Sequence, residues 1–200
     1  PEVLNTEIYD EIFPVGSEEA FAMAKLLARK EGISVGISSG AALHAAAELA
    51  KKYNKSFILN PAPYIPVPAE LFDGVDYVTP NETEAEQFTG IKVDTVEDCR
   101  LAAGKFFEMG VKNVIITLGI RGAFFTDGER EILVPAIKVK AVETTGAGDA
   151  FNGGLATAIA EGLPMETALR FATCTSAISV SRLGSSLSMP YRHEILELLE

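Results

Sequence analysis

The sequence of 200 residues contains no tryptophan, two cysteines and two histidines. Cys99 and Cys174 lie far apart and lack the spacing of a metal site, so we expect two unreactive thiols in a reducing compartment. His44 and His193 are isolated in the same way, each without a second ligand of its kind nearby. The scarcity and spacing of these side chains argue against a metal site built from cysteine or histidine and against a catalytic histidine.

Positive charge is also scarce, because 17 lysines and arginines stand against 28 acidic residues. The net charge is -11 and the sequence pI is about 4.7. A surface this acidic repels phosphate backbones, so we expect no nucleic-acid partner. It still allows a small nucleotide or a free phosphate to bind, because a few backbone N–H groups can hold an anion locally.

Long hydrophobic runs are missing as well. None reaches the roughly 18 residues that a membrane helix needs, so we expect no membrane partner. The N-terminal residues do not have the pattern of a signal peptide. The chain begins at Pro1 without a methionine, so we expect a processed or cut chain. We also expect a location in the cytoplasm. The sequence leaves the oligomeric state open.

Predicted strands and helices alternate along the chain. The run from Val114 to Leu118 is rich in β-branched residues and typical of a central parallel strand. Asp127-Gly128 predicts a β-hairpin, and residues 137–142 predict a further strand. Such alternation indicates parallel βαβ units with helices on both faces of one sheet. The predicted fold is a Rossmann-like three-layer α/β/α sandwich, with a mostly parallel central sheet plus a β-hairpin, forming a single domain over residues 1–200.

The strongest group of chemically capable residues is the run TTGAGDAFNGG at 144–154, between a predicted strand and a predicted helix. Gly146, Ala147 and Gly148 can aim successive backbone N–H groups at one point, where the helix N-terminus adds positive potential. Such an anion hole stabilises the charge on a phosphoryl group during transfer. Asp149 could then act as the general base. A glycine turn with an aspartate in the first helical turn also has a purely structural explanation.

This run resembles the signature of the ribokinase family of carbohydrate kinases, in which the glycine turn forms an anion hole and the aspartate is the catalytic base. The run NETE at 81–84 resembles the family's Asn-x-x-Glu motif. The resemblance implies that Asn81 and Glu84 bind the phosphates and Mg²⁺, with Glu84 reaching the metal through water. Asn81 and Glu84 also fit a capping box at any helix start, and both explanations stay open.

Two further segments carry the same resemblance. Residues 117–122 resemble the family's nucleotide-site strand and turn, which implies cofactor-binding roles for Thr117, Gly119 and Gly122. Residues 181–188 resemble the loop that binds a monovalent cation together with the segment before the glycine turn. This implies cation ligands at three positions, namely Glu143, Gly184 and Ser188. Glu143 departs from the family, which usually carries aspartate there.

The front of the chain resembles a different family. The runs PEVLNTEIYD at 1–10 and VGISSGAA at 35–42 are similar to the C-terminal part of cysteine synthase, a pyridoxal-phosphate enzyme. This resemblance implies that Ser38 stands where that family contacts the pyridine nitrogen of the cofactor. The Schiff-base lysine motif and the glycine-rich phosphate loop have no counterpart in this sequence. Pyridoxal phosphate is therefore not expected, and Ser38 is interpreted as a vestigial position that caps the following helix.

We interpret the sequence as an engineered chimera of a cysteine-synthase-like segment, residues 1–53, and the nucleotide-binding half of a ribokinase, residues 54–200. No half that grips a sugar is recognisable, and positioning of the substrate is worth about 7–11 kcal/mol of a barrier. This interpretation predicts a non-catalytic protein that requires no cofactor and keeps residual binding of ATP, ADP or phosphate, with Mg²⁺ and a monovalent cation. The alternative is an ATP-dependent sugar kinase that phosphorylates a carbohydrate hydroxyl.

Overall fold

The computed structural model describes residues 13–23, 37–53, 55–64, 72 and 74–199. The chain divides into two compact units, one of residues 1–57 with 65–68 and one of residues 58–64 with 69–200. All predicted site residues except Ser38 belong to the second unit. The prediction of a single domain over residues 1–200 stays a prediction.

In the first unit, residues 17–23 are helical and helix α1 spans Ile37–Lys52. The predicted cap at Ser38 is wrong, because the helix begins one residue before it and Ser38 lies exposed inside the first turn. The first N–H groups of any helix lack intrahelical acceptors, so a serine is tolerated there as well as at the cap.

The second unit is built on a five-stranded sheet with the order β1-β2-β3-β4-β5. The strands are β1 Ile58–Leu59, β2 Tyr77–Val78, β3 Asn113–Thr117, β4 Ala123–Thr126 and β5 Glu131–Val134. The first three strands are parallel, and β4 and β5 continue the sheet antiparallel. The hairpin predicted at Asp127-Gly128 joins β4 to β5, and Gly128 takes a left-handed φ of 91° there.

Five helices accompany the sheet within the described part of this unit. They are α2 Glu82–Thr89, α3 Val96–Glu108, α4 Ala147–Ala160, α5 Met165–Val180 and α6 Arg192–Leu199. Capping boxes start α2 at Asn81 and α3 at Thr95, which fixes both helix starts locally. A 3₁₀ turn at Gly119–Arg121 connects β3 to β4.

Hydrophobic layers cover both faces of the sheet. Ile115 and Phe125 are paired across β3 and β4 and pack in one cluster with Phe151 of α4 and Leu169 of α5. Because successive strand residues point to opposite faces, the adjacent buried pair Ile116 and Phe124 faces the other side. There α2 and α3 contact β3, and the Phe72, Phe88 and Phe106 rings meet near one another. The predicted α/β/α arrangement is confirmed, with a mixed sheet.

The strand predicted at residues 137–142 is wrong, because this segment makes no strand pairing in the described structure. Its end is held by helix α5 instead: the N–H groups of Val142 and Glu143 donate to the carbonyl of Val180 at 2.7 and 3.2 Å. The last carbonyls of a helix lack intrahelical donors, so they accept these bonds. The segment therefore carries the chain from the sheet edge at β5 to the start of α4.

Candidate active site

The glycine turn forms the start of α4. Gly146 is the N-cap residue with φ 79° and ψ 6°, a left-handed conformation that favours glycine. The N–H of Ala147 donates to the carbonyl of Thr144 at 3.2 Å and is therefore occupied. Within the described residues, the next two N–H groups, of Gly148 and Asp149, have no acceptor. The first helical turn thus presents two free donors at its positive end.

Asp149 lies in this first turn, and its side chain is exposed. Its carboxylate accepts no hydrogen bond from the described part of the chain, and a Cβ placed on Gly146 would lie 3.9 Å from its Oδ2. The carboxylate therefore stands beside the two free N–H groups with both oxygens available to a ligand. This is the geometry that a general base beside an anion site requires.

Asn81 and Glu84 meet at the start of α2 in a complete capping box. The N–H of Asn81 donates to Glu84 Oε2 at 2.8 Å, and the N–H of Glu84 donates to Asn81 Oδ1 at 2.8 Å. Glu84 is only 7% exposed, and burial raises its carboxyl pKa, opposed in part by the bond from Asn81. Its Oε1 receives no hydrogen bond from the described residues. The capping explanation is correct, and one buried carboxylate oxygen is left for a ligand.

The nucleotide-site residues predicted from sequence lie at the carboxyl end of β3. Thr117 pairs with Asn81 in a parallel bridge, and its N–H donates to the carbonyl of Pro80 at 3.0 Å. Gly122, with φ 102°, is needed for packing, since a Cβ there would lie 1.9 Å from the carbonyl oxygen of Val134. A Cβ on Gly119, with φ 53°, would meet no atom within 4 Å, so this position is open to a ligand. In open α/β sheets, ligands bind at this edge.

The three residues predicted for a monovalent cation are only partly brought together. Glu143 Oε2 accepts a hydrogen bond from the N–H of Gly184 at 2.9 Å. Ser188 is fully buried, and its hydroxyl pairs with Ser179 at 2.9 Å and donates to the carbonyl of Ser185 at 2.8 Å. The Ser188 hydroxyl therefore stabilises the loop at residues 181–188. No cluster of three acidic, histidine or cysteine side chains suited to a metal ion occurs among the described residues.

Comparison with known proteins decides the family. The model of the pfkB family of carbohydrate kinases matches residues 4–192. The chain belongs to this family. Ribokinase from Haemophilus influenzae is 42% identical over 155 residues, which cover 78% of this chain and 51% of that protein. The chain therefore spans about half the length of the curated relatives it matches.

Comparison with solved structures points to the same family. A structure of Arabidopsis thaliana ribokinase complexed with ribose and ATP has a TM-score of 0.75 and 36% identity, covering 80% of this chain and 52% of that chain. A ribokinase II protein from E. coli in complex with ATP and Mg²⁺ has a TM-score of 0.65 and 26% identity, covering 80% of this chain and 53% of that chain.

These findings overturn the interpretation as a non-catalytic chimera. The family match begins at residue 4 and so takes in most of the segment that was assigned to cysteine synthase, and nothing in these matches supports such a segment. The resemblance rested on two short runs of 10 and 8 residues, too short to outweigh a match along the chain. The vestigial cofactor role of Ser38 falls with it, and Ser38 lies in the first unit, in the first turn of α1.

Two features of this candidate site were missed from sequence. Arg121 forms an ion pair with Glu82 and donates to the carbonyl of Val93 at 3.1 Å, which ties the 3₁₀ turn to the start of α2. Asn152, inside the glycine run, contacts Thr79 at the end of β2. Since the partners lie 39 and 73 residues apart, no local pattern points to either contact.

Proposed function

We propose that this chain is an ATP-dependent sugar kinase that transfers the γ-phosphate of ATP to a carbohydrate hydroxyl, with ribose as the first substrate to test. Membership of the carbohydrate kinase family supports the reaction class. Ribokinases among the relatives, one solved with ribose and ATP, support the choice of substrate. The observation that carries the proposal is the free carboxylate of Asp149 beside the free N–H groups of Gly148 and Asp149.

The proposed reaction is an in-line displacement. Asp149 accepts the proton of the sugar hydroxyl while the hydroxyl oxygen forms a bond to the γ-phosphorus. The bond between the γ-phosphorus and the β–γ bridging oxygen breaks, and its electron pair leaves with ADP. The N–H groups of Gly148 and Asp149 stabilise the charge on the transferring oxygens, helped by the helix N-terminus.

The residues at the carboxyl ends of β2 and β3 fit the metal and the nucleotide. Asn81 and Glu84 would hold Mg²⁺, Glu84 through water, since a buried carboxylate with one unoccupied oxygen is a suitable partner for a hydrated cation. Mg²⁺ bound there would neutralise charge on the β- and γ-phosphates. Thr117, Gly119 and Gly122 belong to the proposed nucleotide contact, with Gly119 leaving room for close approach.

A coupled assay of ADP release with ATP, Mg²⁺ and ribose tests this function. We expect a rate that depends on ribose and is lost when Mg²⁺ is removed with EDTA. A rate that is the same with and without ribose would show hydrolysis alone and would contradict the proposal. Deoxyribose is the matched second sugar, because relatives of this chain include deoxyribokinases.

The location and the partners of the protein are predicted from the composition and charge of the chain. Within the described residues, no helix combines the length and hydrophobicity needed to cross a bilayer. The cytoplasmic location, the absence of a nucleic-acid partner and the monovalent cation at Glu143, Gly184 and Ser188 stay predictions.

A further inference from the structure

The start of α4 is connected to the end of β2 by a buried hydroxyl. Thr79 directly follows β2 and is 1% exposed. Its Oγ1 donates to Oδ1 of Asn152 at 2.7 Å, while the alternative acceptor, the carbonyl oxygen of Leu59, is 3.4 Å away. A hydroxyl has one hydrogen to donate, so the short bond to Asn152 takes it.

The same side chain of Asn152 reaches the anion hole. Its Nδ2 donates to the carbonyl oxygen of Gly148 at 2.9 Å. A carbonyl can only accept, so this bond directs the amide nitrogen to Gly148 and the amide oxygen to Thr79. One planar group therefore joins the first turn of α4 to the carboxyl edge of the sheet.

Asn60 extends this connection to the neighbouring strand. Its Nδ2 donates to the carbonyl oxygen of Thr79 at 2.8 Å and lies 3.4 Å from the hydroxyl of Thr79. The ends of β1 and β2 are thus fixed to each other and, through Asn152, to Gly148. The line of contacts ends at the Gly148–Asp149 peptide unit, which itself carries the free N–H of Asp149.

We propose that Asn152 and Thr79 are positioning residues, which hold the free N–H groups of Gly148 and Asp149 at the place where the transferring phosphoryl group passes. This inference rests on the proposed kinase function. Donors of an anion hole act through geometry set before the reaction, so a shift of about 1 Å is enough to lose on the order of a hundredfold in rate. The donors serve the transition state, so the loss falls on kcat rather than on KM for ATP.

Substitutions of both partners test the link. Thr79→Val keeps the shape of the side chain and removes the hydroxyl, while Thr79→Ser keeps the hydroxyl. Asn152→Ala removes the bridge from the other end. We expect Thr79→Val and Asn152→Ala each to lower kcat by about tenfold to a hundredfold, with KM for ATP changed less than about twofold. Thr79→Val and Asn152→Ala break the same link between Thr79 and Asn152. The double variant should therefore be no slower than the slower of the two single variants.

Thr157→Val is the matched control. Thr157 is exposed on the same helix and makes the same kind of bond, from Oγ1 to the carbonyl of Gly153 at 2.8 Å, away from the anion hole. Thr157→Val and Thr79→Ser should both keep kcat within about threefold of the original. Losses of kcat that add in the double variant, or that Thr157→Val shares, would overturn the inference while leaving the kinase function intact.

A binding experiment separates this inference from the proposed function. Inorganic phosphate is titrated while the amide signals of Gly148 and Asp149 are followed by NMR. We expect Asn152→Ala to bind phosphate about threefold to tenfold more weakly than Thr157→Val, whether or not a sugar is phosphorylated. Equal phosphate affinity in the two variants, or no binding to the unsubstituted chain, would overturn the positioning role. Absence of sugar phosphorylation alone would overturn only the kinase function.

Discussion

Glu143 accepts a hydrogen bond from the N–H of Gly184 at 2.9 Å, and this bond joins two segments 41 residues apart. One oxygen of the carboxylate therefore holds the loop at residues 181–188 in place, and the other accepts no hydrogen bond from the described residues. A Cβ on Gly146 would lie 3.6 Å from Cβ of Ser185, so this loop lies against the glycine turn. A cation bound at Glu143 would act on the anion hole through this contact.

Glu143→Gln separates the two roles of that side chain. Glutamine still accepts a hydrogen bond from Gly184 but no longer carries charge, so we expect a similar melting temperature and a loss of activation by potassium. The measurement is the rate in KCl against choline chloride at constant ionic strength. Equal activation by potassium in both proteins would show that the cation does not depend on Glu143.

Glu84→Gln should weaken the binding of Mg²⁺, so the reaction should need a higher Mg²⁺ concentration to reach half of its maximal rate. The glutamine oxygen still accepts from Asn81, so the capping box survives. A carboxylate that acts on a metal through water typically contributes about tenfold to a hundredfold to metal affinity or activity. We expect the loss of Mg²⁺ affinity in the variant to be of that size. Titration of the rate with MgCl₂ measures it, and an unchanged Mg²⁺ dependence would contradict the role of Glu84.

Glu84 should also make stability depend on pH. Burial raises its pKa in the folded state, so the fold favours the protonated form. Its contribution to stability is fully present below the unfolded pKa, about 4.3, and is lost as the pH rises through the folded pKa. We expect Glu84→Gln, which cannot ionise, to gain stability relative to the original chain as the pH rises over this window. Urea unfolding in EDTA at several pH values measures the difference, and parallel curves would refute it.

Gly146→Ala, at the glycine turn, and Gly153→Ala, further along α4, form a matched pair. Both positions have room for a methyl group, but only Gly146 has a left-handed φ, 79°. We expect Gly146→Ala to destabilise the fold by about 1–2 kcal/mol, and Gly153→Ala, inside α4, to stabilise it by about 0.5–1 kcal/mol. Equal effects on the free energy of unfolding would contradict the backbone explanation.

The sequence predicts those parts of the site that depend on neighbours along the chain. The glycine turn at Gly146 and the capping box of Asn81 with Glu84 involve residues within four positions of each other, so spacing alone reveals them. The α/β/α sandwich can also be predicted, because strands and helices alternate along the chain. Residues 137–142 have the composition of a strand, but a strand also needs a partner, and this segment uses the end of α5 instead.

Contacts between distant segments could not be predicted in this way. Thr79 and Asn152 each look ordinary in their own surroundings, and only the fold brings them to 2.7 Å. The chimera interpretation is wrong for a related reason, since two short runs at the front of the chain resemble another family while the family match extends over residues 4–192.

Asp149→Asn tests the account most directly, with ³¹P NMR detection of the sugar phosphate formed from ribose and ATP in Mg²⁺. Asparagine fits the same exposed position and costs at most about 1 kcal/mol of helix-dipole stabilisation, so the variant should fold normally. We predict that the original chain forms the sugar phosphate and that the variant forms it about 10²- to 10⁴-fold more slowly. Formation at equal rates in both proteins, or none in the original chain, would contradict the assignment of Asp149 as the base of a sugar kinase.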